Sequence, residues 1–369
     1  MVQYKKHFEN LDASRFFAFL LVFIGHAIIS VTPEMQADYL FLYFRKLNYL
    51  GAIGLGYLFV LSSFLISWII QEEKRHTADF NLKNFLFRRT LRIWPLYFLV
   101  VLLGFAIQQY ALHTGNSIQP LPPFHYFGLF ILNFYIIDHG TGFLFFLTFL
   151  WTISVEEQFY LLWSLAVKYT RIHIVPLAFI LIIVSVVFRY IYANDGQQLF
   201  FSTFSILGDF GTGALASYLA FTRKPLFLFI QQGNRYVSVA VYALLFLGIF
   251  YFREIDSFIP ARIFSRLFFA LLFAYIILEQ AFSAKRLFRM GKWNVFEYLG
   301  KISYGLYCFH GVVITVLLFL LPKFVRTENY LAVLVLYPAI ILIFSILISA
   351  AGYSIYRRTF GKLKQKYSY

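Results

Sequence analysis

Ten long apolar stretches constrain this chain more than any other feature. They cover residues 14–31, 50–70, 91–111, 145–167, 174–192, 199–221, 236–252, 262–282, 302–321 and 331–356. A membrane-spanning helix needs about 20 mostly apolar residues, since hydrocarbon offers exposed backbone groups no water. The expected fold is therefore all-α: a polytopic membrane protein of about ten transmembrane helices. A further apolar piece, 124–137, is short and follows Pro120, Pro122 and Pro123. It reads as a re-entrant or interfacial helix. Composition points the same way. The 369 residues are 60% hydrophobic and 13% charged, against about 45–50% and about 25% in soluble domains. This excludes a disordered chain, a coiled coil, a disulfide scaffold and a soluble enzyme. The aromatic share reads as bilayer-facing bulk and interfacial anchoring.

Charge sets the expected topology. The net charge is +15. With the N-terminus inside, 24 of the 32 Lys and Arg fall on inner segments and 8 on outer ones. That bias predicts two cytoplasmic termini, with a basic tail at about 357–369. It accounts for the charge without a nucleic-acid partner. No outer loop is long enough for a domain, so 1–369 reads as one transmembrane domain in contact with lipid. The first apolar run lacks a small-residue cleavage site and reads as a retained span. The single cysteine, Cys308, excludes an internal disulfide and a multi-Cys metal site, and no metal is expected. No phosphate-binding G-x-x-x-x-G-K-[ST] loop is present, which argues against an ATP-driven pump of that kind.

Ionisable residues at bilayer depth are costly and mark candidate sites. Arg15 and His26 lie eleven residues apart on one apolar helix. That spacing is about 20° past three full turns with a rise of about 16 Å, so both share a face. A guanidinium fork suits phosphate and an imidazole suits proton transfer. The alternative is a topology anchor and an interhelical hydrogen-bonder. Arg88, Arg89 and Arg92 form a cationic face at i,i+3 and i,i+4. It suits a nucleotide phosphate or, alternatively, lipid headgroups. Glu156 and Glu157 are adjacent in mid-span and point about 100° apart, so they cannot share one partner. One could orient a histidine or cancel an arginine, the other face a polar cavity; a buried ion pair fixing register is the alternative. Ser303, Tyr304, Tyr307 and His310 form a polar face that is either a site or an interhelical seam. Asp209, among Gly208, Gly211 and Gly213, reads as structural.

Four motifs in order resemble acyltransferase family 3, the integral-membrane O-acyltransferases. The resemblance covers nearly the whole chain. Leu11-Asp12-Ala13-Ser14-Arg15 with His26 resembles the family's Leu-Asp-x-x-Arg and its Arg-x10-His spacing. Arg89-Thr90-Leu91-Arg92 is similar to its Arg-x-x-Arg. Trp151 to Tyr160 resembles its Trp-Ser-Leu-Ser-Val-Glu-Glu-Gln-Phe-Tyr, and Ile302 to His310 its late Ile-Ser-Tyr-x-x-Tyr-x-x-His. Gly56 to Ile66 is similar to the second-span signature, with Ser63 where a glycine is usual.

The resemblance implies a cytoplasmic acyl-CoA donor, usually acetyl-CoA. It implies an acceptor hydroxyl on a cell-surface glycan or lipid-linked sugar. His26 would be the catalytic base or acyl relay, supported by Glu156 first and Glu157 second. Arg15, Arg88, Arg89 and Arg92 would hold the donor's phosphates. Asp12, Trp151, Ser154, Tyr160, Ser303, Tyr304, Tyr307 and His310 would contact substrate or support the site. The chain ends after the tenth span, which implies the stand-alone form. The expected location is the bacterial inner membrane. The competing reading is a transporter or flippase for an anionic lipid or sugar. It should carry paired Gly/Pro interruptions in two halves, and no such pairing is visible.

Overall fold

A computed structural model describes residues 8–30, 32–77, 79–115, 119–170, 173–324 and 329–366. Lys5, Lys6, Arg171, Arg326 and the last three residues of the basic tail, counted above, lie outside them. Among the described residues there is no strand. The principal helices are α1 (Glu9–Ala27), α2 (Tyr49–Thr77), α3 (Leu82–His113), α4 (Phe124–Gly128), α5 (Leu132–His139), α6 (Trp151–Tyr169) and α7 (Ile174–Ile191). They continue as α8 (Thr203–Thr222), α9 (Arg235–Phe250), α10 (Ile259–Phe282), α11 (Asn294–Lys301), α12 (Ser303–Phe324) and α13 (Tyr337–Lys366).

The chain is thus a polytopic all-α membrane protein. Among the described residues, six helices are long and apolar enough to cross a bilayer, or up to eight if each of two bent pairs makes one span. Each of the ten expected segments holds a helix. The two that fall outside the six to eight are α1 and α6. They are the helices that carry Asp12, Arg15 and His26, and Glu156 and Glu157.

The piece expected to be re-entrant is two short helices, α4 and α5, broken at Phe130 with φ 55°. A left-handed phenylalanine is strained and persists only when its surroundings over-determine it. Here the Phe130 carbonyl accepts from Gln158 Nε2 at 2.7 Å, and its ring packs on Tyr97 with centroids 4.8 Å apart. Tyr97 Oη donates to the Phe127 carbonyl at 3.1 Å. Polar side chains of α3 and α6 therefore tie the break down.

The residues fall into two compact units, each assembled from separate stretches of chain. The first comprises Met1–Val22, Ala52–Phe80 and Ala166–Ser303. The second comprises Phe23–Gly51, Asn81–Leu165 and Tyr304–Tyr369.

In the first unit, α8 is the tightly packed element. A Cβ on Gly213 would lie 2.2 Å from the Val60 carbonyl oxygen and 2.9 Å from Ser63 Cβ. Ser63, in the position where the family signature has glycine, donates from Oγ to the Phe210 carbonyl at 2.5 Å. So α8 supplies the small residue that α2 lacks. The Gly213→Ala clash is with backbone, which cannot rotate away. Overpacking of this kind costs roughly 1–3 kcal/mol. Gly213→Ala should lower the thermal unfolding midpoint in detergent; an unchanged midpoint would contradict this packing.

Two buried acids of this unit, Asp209 and Glu279, serve the fold. Asp209 is buried and accepts from Arg266 Nε at 3.0 Å and Nη2 at 2.6 Å. Glu279 accepts from Tyr242 Oη at 2.9 Å and from the Leu287 backbone N–H at 3.1 Å. It thereby secures the loop that follows α10.

Candidate active site

The second unit holds most of the expected site residues. His26 stands at the last turn of α1 and His310 on α12. His26 Nδ1 and His310 Nε2 are 3.2 Å apart, with their ring planes 13° from parallel. Phe149 stacks on both. Its centroid is 4.1 Å from that of His26 and 4.9 Å from that of His310. Gly311 makes room for that ring: a Cβ there would lie 2.8 Å from two Phe149 ring carbons.

The histidine pair has a readable proton order. His310 Nδ1 faces the carbonyls of Tyr307 at 2.7 Å and Leu306 at 3.2 Å. A carbonyl only accepts, so Nδ1 carries the hydrogen. In a neutral imidazole Nε2 is then the acceptor, and His26 Nδ1 donates to it. His26 Nε2 is left without a proton. It has no hydrogen-bond partner among the described residues, and the side chain is only part-buried. Such a nitrogen can take a proton from a hydroxyl brought against it.

Tyr307 belongs to the same cluster. Its ring lies 5.7 Å from His310, and its Oη donates to the Phe149 carbonyl at 2.9 Å, beside the Thr152 hydroxyl. The face shared by Tyr307 and His310, expected from their i,i+3 spacing, is therefore real. Tyr304 Oη instead donates to the Ile93 carbonyl of α3 at 2.7 Å. Ser303 is half-buried at the start of α12.

The carboxylates are arranged differently from the first expectation. Among the described residues, His26 makes its polar and ring contacts with His310, Phe149 and Phe145, and with neither glutamate. Glu156 Oε2 accepts from Tyr160 Oη, one turn along α6, at 2.8 Å. Arg89 lies over the same tyrosine, its Cζ 5.5 Å from the ring centroid, and over Phe85 at 5.7 Å. That geometry is a cation–π contact. Glu157 Oε2 accepts from Trp94 Nε1 at 3.2 Å, whereas Oε1 is buried with no hydrogen-bond partner among the described residues. A buried acceptor in that state calls for a proton or a donor from a ligand. The two adjacent acids do point to separate partners.

Arg88 and Arg92 are half-buried on α3 with Arg89. Trp151 and Ser154 are buried; Ser154 Oγ is bonded to the Leu150 carbonyl at 3.4 Å. Asp12 and Arg15 form an ion pair one turn apart on α1. They belong to the first unit and His26 to the second, although one unbroken helix carries all three.

Two participants and one pairing were not read from the sequence. Phe149, the ring stacked on both histidines, looked like one more lipid-facing aromatic. Trp94, the donor to Glu157, lies two residues past the Arg89–Arg92 motif. The His26–His310 pairing joins residues 284 positions apart. It had one available signal: these are the only two histidines inside expected spans, and intramembrane polar groups pair with one another.

Comparison with known proteins supplies the family. The acyltransferase-domain profile of acyltransferase family 3 matches residues 8–353. Two curated bacterial proteins are similar to this chain. "Putative peptidoglycan O-acetyltransferase YrhL" of Bacillus subtilis (strain 168) is 23% identical over 341 residues, covering 85% of this chain and 49% of its own length. "Peptidoglycan O-acetyltransferase OatA" of Listeria monocytogenes serovar 1/2a is 24% identical over 292 residues, covering 72% of this chain and 45% of its own length. The chain spans about half the length of these curated relatives. No solved structure matches. With the family profile running through both units and through all four motifs, the chain belongs to acyltransferase family 3.

Proposed function

We propose that this protein moves an acyl group, acetyl first among the candidates, from cytoplasmic acyl-CoA to a hydroxyl of a cell-envelope glycan. Peptidoglycan is the acceptor suggested by the names of the two relatives. A lipid-linked sugar is the other member of that class. The location that fits is a bacterial inner membrane, where donor and acceptor lie on opposite faces. The observation that carries the reading is the unpartnered Nε2 of the half-buried His26 in a family of acyltransferases.

In this reading His26 is the general base. The acceptor O–H gives its proton to Nε2 as the oxygen attacks the thioester carbonyl carbon. The new C–O bond forms and the C–S bond breaks. The departing thiolate takes the proton back from His26, so ester and free thiol are the products and the imidazole is restored. Phe149 holds the ring plane throughout.

Arg88, Arg89 and Arg92 are assigned to the phosphates of the donor, and Arg15 to the same role from its place on α1. Guanidinium forks match phosphate oxygens in pairs. Glu156 supports Arg89 through Tyr160, their common neighbour. Glu157, with one unsatisfied oxygen, is assigned to a donor group of the substrate.

Arg89→Ala tests the phosphate assignment. One charge-assisted contact contributes about 1.5–3 kcal/mol, so the apparent KM for acetyl-CoA should rise roughly 10- to 100-fold, with a smaller change in kcat. An unchanged donor KM would overturn the assignment. Acid-quenched protein that carried an acetyl group on His26 by mass spectrometry would replace the general base with an acyl-histidine relay.

A further inference from the structure

We propose that His310 is a positioning residue: it fixes the tautomer of His26, so that Nε2 is the one nitrogen able to take the acceptor's proton. The proposal rests on the reading of His26 as general base. It assigns to His310 a role that the family motif does not state.

The argument is a chain of donors and acceptors. Two backbone carbonyls of α12, those of Tyr307 and Leu306, face His310 Nδ1. A helix carbonyl cannot change its role, so the hydrogen on His310 Nδ1 is fixed by backbone. Neutral His310 then presents a lone pair at Nε2. The one polar neighbour recorded for His26 Nδ1 is that lone pair, at 3.2 Å. The hydrogen of His26 must therefore sit on Nδ1. A second neutral tautomer would set the lone pairs of His26 Nδ1 and His310 Nε2 against each other.

Rotation of the ring is also blocked. A half-turn about the Cβ–Cγ bond would exchange Nδ1 for a carbon and lose the hydrogen bond. Phe149 stacks on both imidazoles within 26° of parallel, so neither ring tilts freely.

The arrangement works through the whole proton cycle. When His26 takes the acceptor's proton it becomes an imidazolium, and its Nδ1–H still points at the His310 lone pair. That bond then becomes charge-assisted and strengthens. The proton leaves again from Nε2 to the thiolate. His310 neither gains nor loses a proton. Its part resembles that of the orienting third group beside a catalytic imidazole, whose loss leaves the geometry but not the correct tautomer. Here a neutral imidazole held by backbone does this work, where a carboxylate is the usual choice.

The test uses the full-length protein in detergent, with acetyl-CoA and envelope glycan, and compares His310→Phe with His310→Gln. Phenylalanine keeps a planar ring against Phe149 but offers no lone pair. Glutamine offers an amide oxygen that can accept from Nδ1. His310→Phe should lower kcat at least roughly 100-fold, with the donor KM within about 2-fold of wild type. His310→Gln should keep kcat within about 10-fold of wild type. Equal kcat in the two variants would overturn the proposal, because a packing or general polar role does not separate them.

His26→Ala run in parallel separates the two ideas. An inactive His26→Ala beside a fully active His310→Phe would sink the tautomer proposal and keep His26 as base. An active His26→Ala would remove the reading beneath it. If His310→Phe does not fold, 15N spectra of histidine-labelled wild type and His26→Ala decide. The resonances lost in the mutant should belong to a ring protonated at Nδ1 and bare at Nε2. A ring protonated at Nε2 would overturn the proposal.

Discussion

His26→Ala should lower turnover roughly 10²- to 10⁴-fold, the range that a positioned general base contributes. The protein should still fold and still bind its donor. His26 lies at the last turn of α1, is part-buried, and makes one hydrogen bond. Its loss removes no charge partner from the interior, and the arginines assigned to the donor phosphates lie elsewhere in the chain. Turnover should therefore collapse while the unfolding midpoint and the donor dissociation constant stay near wild type. A His26→Ala protein that released thiol at the wild-type rate would refute the base. A protein that failed to fold would show that His26 belongs to the packing around Phe149.

The second large effect is on stability. Asp209→Ala strips the part-buried Arg266 of its counter-charge. Arg266 Nε and Nη2 both reach Asp209 Oδ2, and the Asp209 side chain is 1% exposed. Breaking a buried pair from one side costs about 3–5 kcal/mol, because the remaining charge stays desolvated. Arg189 offers no relief. It is buried close by and already donates to the Ile263 carbonyl at 3.0 Å, the Arg262 carbonyl at 2.6 Å and Ser205 Oγ at 2.9 Å. Asp209→Ala should therefore unfold at a clearly lower temperature, and activity should fall only as far as folded protein is lost. Pairing it with Arg266→Leu should recover part of the stability, since an apolar replacement leaves no orphaned charge. An Asp209→Ala protein with an unchanged midpoint and no turnover would make Asp209 a functional group instead.

Much of this was legible in the sequence, for a physical reason. Length and apolarity set membrane helices locally, so all ten segments hold helices and the short 124–137 piece does not form one long helix. The misreadings concern ends and partners. The helix expected at 14–31 runs over Glu9–Ala27, because the polar first turn containing Glu9, Asn10 and Asp12 is helical although it is not apolar. The one expected at 145–167 begins as a separate turn, Phe145–Thr148, before α6. A helix over Pro225–Gln232, bent 97° from α9, was not anticipated.

Partners were harder still. Periodicity places Tyr307 and His310 on one face, since both lie on one helix. It carries no information on which helices meet. Nothing local joins His26 to His310, Arg89 to Tyr160, or Trp94 to Glu157. The supporting carboxylate was sought for His26 because acids commonly orient imidazoles, whereas the polar group beside its Nδ1 is a histidine nitrogen. The inverse holds at Ser63. Serine stands there in place of the usual glycine, and Gly213 on the facing helix supplies the close approach, which no local pattern around Ser63 shows.

The most direct measurement follows the acyl group itself. Purified wild-type protein would be given acetyl-CoA labelled in the acetyl group, with and without envelope glycan. Free thiol and label on the glycan would be counted together. The account predicts glycan-stimulated thiol release, with an equal amount of base-labile label appearing on glycan hydroxyls. Acetyl-CoA that is neither bound nor consumed, beside an anionic lipid or sugar carried across vesicles containing the protein, would contradict it and establish the transporter reading.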